Sequence, residues 1–413
     1  MKKYIILAYN ITNIGGEHQY CRNKIVEVTK MGYTPILFSG NNGPIYIPEL
    51  QKFKDNTFTA LKYPPYCFTK SRVKQTVMQI VNVIGDVSED SIIECLSVAG
   101  TEWGELIADF LNIKSLGFIL DEKSNVSKQE CSFLFFKHKR KELASISCTT
   151  YCNLFKPYIK IKSAEANVIE AFCTNSIESI PYDKEIKTND NVVFGSIGRL
   201  EKGYVWPVLC ELKKYCLLHS KQDFAILLIG GTTNNKILNQ IKKLFLDVLN
   251  VQVHITGYIY PIPYDLVSQI DIAIGTAGGA EIAALQLNKP CISVDTHTGT
   301  PIGILNYTTK ETTYSNSNSN LSLSYYIDLI NKGFCYNNSD LGMSYGVTDL
   351  SFEVEKQFKK FVYTDVNKCF YDVMLLKAET LQYLIYAVIG KTFGPKILQY
   401  LHRRIIHPLK KYL

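Results

Sequence analysis

The sequence predicts an α/β protein: two doubly wound domains and a helical C-terminal tail. Three observations carry that prediction. The chain opens on a strand, a glycine loop, a helix and a second strand. Near its middle the stretch 192–203, VVFGSIGRLEKG, starts the same pattern again with a short apolar run and a small-residue turn. The length, 413 residues with 46% apolar content, exceeds a single domain and is enough to fill two cores.

Lys3 to Ala8 reads as the first strand, Asn10 to Gly16 as a polar glycine loop, Glu17 to Met31 as a helix closed by Gly32, and Tyr33 to Phe38 as the second strand. In a sheet of this kind the ligand lies at the carboxyl ends of the strands. Gly15 and Gly16 would let a substrate approach the helix N-terminus, with Glu17 or His18 facing it; the alternative is a tight turn with two solvated side chains. The loop lacks the third glycine of the dinucleotide fingerprint, and the second strand ends in Ser39 and Gly40 rather than an acid. Both facts disfavour a nicotinamide or flavin.

Ser91 to Leu96 is the next expected strand, Trp103 to Leu111 a helix, and Ser115 to Leu120 a strand that ends at Asp121 and Glu122. A carboxylate there could act as a base towards an acceptor hydroxyl, with Asp121 the candidate, or the pair could simply cap the next element of the chain. Phe133 to Leu143 reads as a helix whose run Lys137 to Lys141 is a solvated basic face. Ala144 to Thr149 and Asn167 to Ala171 read as short strands. The polar stretch Asn175 to Asn191 then marks the interdomain linker.

Beyond the linker the expected elements are the strand VVFGSIG, a helix from Trp206 to Leu218, the strand FAILLIGG (224–231), a helix from Asn235 to Leu249 and the strand VQVHITG (251–257). Arg199 and Lys202 follow the Gly198 turn and make an anion site of its strand end. The strand DIAIG (271–275) runs into the loop Thr276 to Gly279, a helix begins near Ala280, and Lys289 and Pro290 introduce the strand CISVD. A glycine-rich strand-to-helix turn offers backbone N–H groups and the positive helix end to an anion. Thr276, Gly278 and Gly279 are therefore candidates to converge with Arg199 and Lys202 on one diphosphate.

Composition narrows the class. Twelve cysteines are scattered, the closest being Cys148 and Cys152 with no histidine at metal-ligand spacing, so neither zinc nor a disulfide framework is indicated. The N-terminal apolar run is too short for a signal peptide, and no stretch approaches the roughly 18 apolar residues of a spanning helix. The expectation is a cytoplasmic protein. Of its net charge of +7, six charges come after Glu379, from Lys391, Lys396, Arg403, Arg404, Lys410 and Lys411, with no acid among them. Basicity so localised is unlike a nucleic-acid face. The tail also places Leu381, Leu384, Ile385, Val388, Ile389 and later Ile397, Leu398, Leu401, Ile405 and Ile406 between those cations. It reads as attachment to an anionic leaflet, with a helix docked on the protein as the alternative.

Five segments together carry a family resemblance over residues 1 to about 345: GGEHQYCRNKIVEVTKMGYTPIL, GSIGRLEKG, LLIGG, ITGYI and GTAGGAEIAALQLNKPCISVD. In order and spacing the chain resembles the GT-B glycosyltransferases, family 4 and capsular-polysaccharide type. The resemblance implies two Rossmann-like domains facing across a cleft, the first (1–175) for the acceptor and the second (192–345) for a nucleotide-sugar, with 176–191 as linker, 346–379 as crossing helices and 380–413 as the basic tail. Val366 to Ala378 is the expected crossing helix, and Thr308 to Ser324 an expected mobile loop. The resemblance assigns Arg199 and Lys202 to the donor diphosphate. It implies no metal and no cofactor beyond the nucleotide-sugar, and the chain contains no Asp-x-Asp motif. Two departures stand out. The Arg-to-Lys spacing is about two residues shorter than the family's, and the positions of its paired glutamates hold Ala283 and Gly275, with Glu281 one helical step away. The expected function is transfer of a sugar to a glycan or lipid-linked acceptor with retained configuration. A GT-B-fold epimerase and a non-catalytic scaffold are the alternatives.

Overall fold

The computed structural model describes residues 1–12, 14–121, 124, 126–156, 158–169, 177–188, 190–276, 287–305, 307–309, 321–333, 350–362 and 368–406. The chain divides into two compact units, Met1–Thr12, Tyr20–Phe172 and Asp349–Leu413 forming one, Asn13–Gln19 and Cys173–Thr348 the other.

The first unit is built on five parallel strands, β1 (Lys3–Ala8), β2 (Thr34–Ser39), β3 (Ile92–Cys95), β4 (Lys114–Ile119) and β5 (Leu143–Ser145), in the order β2-β1-β3-β4-β5. Every residue of β1 and β3 is buried, as parallel strands covered on both faces require. The order reverses between β1 and β3, so the switch point at which sheets of this kind take a ligand falls where β1 and β3 end. Helix Val98–Leu111 starts at that end of β3. It begins five residues before the expected Trp103, because the Ser97 hydroxyl accepts the Gly100 N–H at 3.0 Å and caps a first turn, VAGT, of mostly small residues.

Glu94 on β3 is fully buried and is satisfied by the hydroxyls of Tyr4 and Tyr20, with Lys24 Nζ at 3.3 Å. Lys24 in turn donates to Gln357, on the helix Leu350–Gln357, and Gln357 Nε2 donates to Tyr20 Oη at 3.0 Å. A buried ion pair of this kind contributes little net stability, but breaking it by removing one partner is expensive.

The structure corrects several expectations. The strand read at Ala144 to Thr149 is β5 alone, ending at Ser145, and Cys148 and Thr149 belong to the helix Cys148–Asn153; of Asn167 to Ala171, the described residues 167–169 form only an isolated bridge from Val168 to Ser145. The basic helix spans Lys128–Lys139, opened by a Ser127–Glu130 capping box, and Lys137 is not on a solvated face. Its ammonium is buried between Glu105 (2.7 Å), Glu142 (2.9 Å) and the Ser115 carbonyl (2.8 Å). Arg140 also pairs with Glu142, leaving Lys139 and Lys141 exposed. The segment read as a crossing helix, Val366 to Ala378, is not a helix over its described part, residues 368–378. Only a short 3-10 turn, Val373–Leu375, forms there, and the Tyr371 N–H is bonded to Glu105 Oε1 at 2.9 Å instead of to a helical carbonyl.

The second unit carries a six-stranded sheet in the order β13-β12-β11-β7-β8-β9 and a two-stranded ribbon pairing β6 (Ile177–Glu178) with β10 (Ile262–Pro263). Its strands are β7 (Asn191–Ile197), β8 (Asp223–Ile229), β9 (Val251–Ile255), β11 (Ile272–Gly275), β12 (Cys291–Val294) and β13 (Pro301–Ile304); all pair in parallel except β13, antiparallel to β12. Helices Val205–Leu218 and Leu323–Asn331 pack on one face through Val208, Leu209, Leu212, Leu323 and Ile327. The helix after β8 ends at Leu244, short of the expected Leu249. The mobile loop expected at Thr308 to Ser324 falls largely outside the described residues.

Candidate functional site

In the second sheet the chain runs outwards from β7 to β8 and β9 on one side and to β11 and β12 on the other. The reversal puts a crevice at the carboxyl ends of β7 and β11. Gly198 follows β7 directly and Thr276 follows β11.

The turn after β7 is held against the next strand end. Gly198 N–H donates to the Ile229 carbonyl at 2.9 Å, Leu200 N–H to the Gly231 carbonyl at 3.2 Å, and Gly230 N–H to Thr256 Oγ1 at 3.1 Å. Gly198 and Gly230 both have positive φ, 148° and 151°. A Cβ on Gly230 would overlap the Gly198 carbonyl, so only glycine allows the two backbones to lie this close.

Lys202 folds back over this turn. A Cβ built on Gly198 would sit 3.9 Å from Lys202 Nζ, and the ammonium lies 5.9 Å from the Tyr204 ring centroid. Although the spacing from Arg199 is short, this cation is at the strand end; Arg199, beside it in sequence, is solvent-exposed. Across the crevice the buried Thr276 hydroxyl meets Thr296 Oγ1 at 2.7 Å. Asp295 Oδ1 accepts the His297 and Thr298 N–H groups, each at 2.9 Å, and shapes the loop after β12 into an Asx turn. The backbone of His297 packs beside Gly203.

The turn at 198–204, Gly230, Gly231, Tyr258, Thr276 and the loop 295–299 thus belong to one strand-end neighbourhood of the second unit. Of the sequence candidates, Gly198, Arg199, Lys202 and Thr276 are there; Gly278, Gly279 and Glu281 lie outside the described residues. Gly15 precedes the helix Gly16–Lys30, and its carbonyl accepts the N–H groups of His18 and Gln19 at 3.1 Å, which places Gly16, Glu17 and His18 in that helix's first turn. Asp121 is an exposed residue two positions beyond β4. Sequence reasoning missed the 295–299 loop and Tyr258, whose ring packs on Gly231. The signal for the loop was present in DTHTG directly after a strand.

No protein-family model matches the chain, and no curated protein matches it. Solved structures do. A glycosyltransferase from Rickettsia africae ESF-5 aligns with 95% of this chain and 99% of its own at 19% identity and a TM-score of 0.56. Anabaena HepE, solved with UDP-glucose, aligns with 87% of this chain and 96% of its own at 12% identity and a TM-score of 0.52. TarM aligns with 87% and 99% at 12% identity and a TM-score of 0.52. The chain therefore has the fold of the GT-B glycosyltransferases.

Proposed function

We propose that this protein is a glycosyltransferase. It takes a sugar from a nucleoside-diphosphate donor and passes it to a glycan or lipid-linked acceptor in cell-surface polysaccharide synthesis, working at the inner face of a membrane. The observation that carries this reading is the Lys202 ammonium folded over the Gly198 turn, at the reversal point of the second sheet, with the exposed Arg199 three positions before it in sequence.

When the glycosidic bond of the donor breaks, the electron pair stays with the departing diphosphate and negative charge grows on its oxygens. Fixed cations at that position stabilise the transition state more than the ground state. Arg199 supplies a planar fork suited to two phosphate oxygens, and Lys202 a point charge. In this reading Gly278 and Gly279 bring backbone to the phosphates and Glu281 takes the ribose. Asp121 accepts the acceptor's proton, and Gly15 to His18 contact the acceptor. Retention of configuration and independence of a metal follow from the family resemblance.

The complex of HepE with UDP-glucose makes UDP-sugars the first donors to try. Isothermal titration with UDP, GDP and CMP, followed by mass spectrometry of products from lipid-linked acceptors, tests the proposal. Binding of none of the nucleotides would indicate a scaffold. Conversion of the donor sugar without any acceptor would indicate an epimerase.

A further inference from the structure

The end of the chain is built into the first unit while turning an apolar face outwards. Helix Leu381–Phe393 buries Tyr386, Ala387 and Gly390, and Leu398 of the following helix Pro395–Leu401 is fully buried. Tyr383 and Tyr386 pack edge-on against Tyr66 and Tyr63, with centroids 5.9 and 5.4 Å apart. Gly390 lies against the Cys67 carbonyl, where a Cβ would overlap it. Arg72 Nη1 donates to the Gly390 and Lys391 carbonyls at 2.7 and 3.1 Å. Gln399 and Arg403 both donate to Asn41 Oδ1, at 2.9 and 2.8 Å. Both helices are therefore pinned to the unit.

The opposite face is apolar. Leu381, Leu384, Ile385 and Val388 fall at i, i+3, i+4 and i+7, a single helical stripe, and are 75%, 48%, 40% and 67% exposed. Phe393, Ile397 and Tyr400 are exposed as well. Lys391, Lys396, Arg403 and Arg404 are exposed on the same two helices and the turn after them, and no acid follows Glu379. One exposed leucine means little, but a helix that is apolar towards solvent has an occupant for that face.

The geometry points to a preformed plate that seats the first unit on an anionic lipid bilayer, the stripe entering the acyl boundary and the cations meeting lipid phosphates. Charge selects this occupant. In a two-fold contact a second copy would bring the same cations together, whereas an anionic leaflet satisfies the stripe and the cations at once. Because the plate is already folded, binding orders no new helix. The inference rests on the membrane placement proposed above and deepens it by naming the surface.

The test is flotation of the full-length protein with phosphatidylcholine vesicles, with and without phosphatidylglycerol. The wild type should float with the anionic vesicles and be released by salt. Leu384→Ser/Val388→Ser and Lys391→Glu/Lys396→Glu should each reduce the floated fraction about tenfold or more. All four substituted side chains are exposed, so the melting temperature should hold. As a check that does not depend on polar variants, Val388→Trp should add blue-shifted emission on anionic vesicles over the wild-type signal. Absence of wild-type flotation, equal flotation of the serine variant, or a lipid-independent dimer abolished by that variant would overturn the plate. UDP affinity is measured on the same samples: its absence would count against the glycosyltransferase reading alone.

Discussion

Arg199 and Lys202 differ in how far their roles can be read from neighbours. Lys202 is positioned by the turn it covers, while Arg199 is exposed and free of such packing constraints on its substitution. Arg199→Ala should therefore leave the fold intact and weaken UDP binding by about 1.5–3 kcal/mol, the range of a charge-assisted phosphate contact. Unchanged affinity by titration would remove Arg199 from the donor site. Gly230→Ala acts by another route, forcing a side chain against the Gly198 carbonyl at a φ of 151°. Strain of that kind is worth about 1–3 kcal/mol, and it should appear both as a lower melting temperature of the second unit and as weaker UDP binding. A third residue-scale prediction concerns Glu102, whose carboxyl is fully buried with no hydrogen-bond partner on either oxygen among the described residues. Burial first, and the neighbouring Glu130 second, hold its pKa well above the usual carboxylate range. The folded state therefore keeps a proton that the unfolded state releases. Stability from this group is full below the ordinary glutamate pKa and is lost as pH rises through the folded-state value. Glu102→Gln should flatten that slope in urea unfolding followed by the fluorescence of Trp103, which is buried in the same unit. An unaltered slope would show that Glu102 is not its source.

At the scale of elements, legibility followed the strength of the local signal. Most strands of both sheets were legible because fully buried parallel strands are largely apolar runs, as YIILA in β1 and FAILLI in β8 are, whereas the antiparallel β13 (Pro301–Ile304) was not read as a strand. The start of helix Val98–Leu111 was not legible, since its first turn, VAGT, has little helical apolar period and is held by a serine cap. The segment before Ala378 carries enough apolar residues to suggest a helix. Val373 and Leu376 are indeed buried, but a backbone hydrogen bond to Glu105, distant in sequence, replaces the helical one. Lys137 misled for the same reason: two carboxylates far from it in the sequence or beyond its helix make a buried ammonium tolerable. In the site, the Gly198 turn and its cations were legible from type and spacing. The contact of Gly198 with Gly230 and that of Thr276 with Thr296 needed the strand order, which no local pattern encodes.

For the whole molecule the consequential feature is that the first unit closes with the last part of the chain. Tyr386 and Leu398 belong to the same buried cluster as Tyr63, Tyr66, Cys67 and Trp103, so the tail that reads in sequence as an appendage is also a piece of core. Cutting at Glu379 would remove those side chains and uncover the ones they rest on. Large-to-small changes at single buried leucine or aromatic positions are worth about 2–5 kcal/mol each, and this cut deletes two such positions together with the Arg72 and Asn41 hydrogen bonds. A truncated chain should lose amide protection in β1, β3 and β4 while β7, β8 and β11 of the second unit, whose core among the described residues takes nothing from beyond Ile330, keep theirs. Hydrogen exchange read strand by strand separates the two outcomes, which a single melting temperature would blend. If protection in β1, β3 and β4 survives the cut, the tail is an appendage after all. If it is lost while the second unit still binds UDP, the donor site is shown to stand on the second sheet alone.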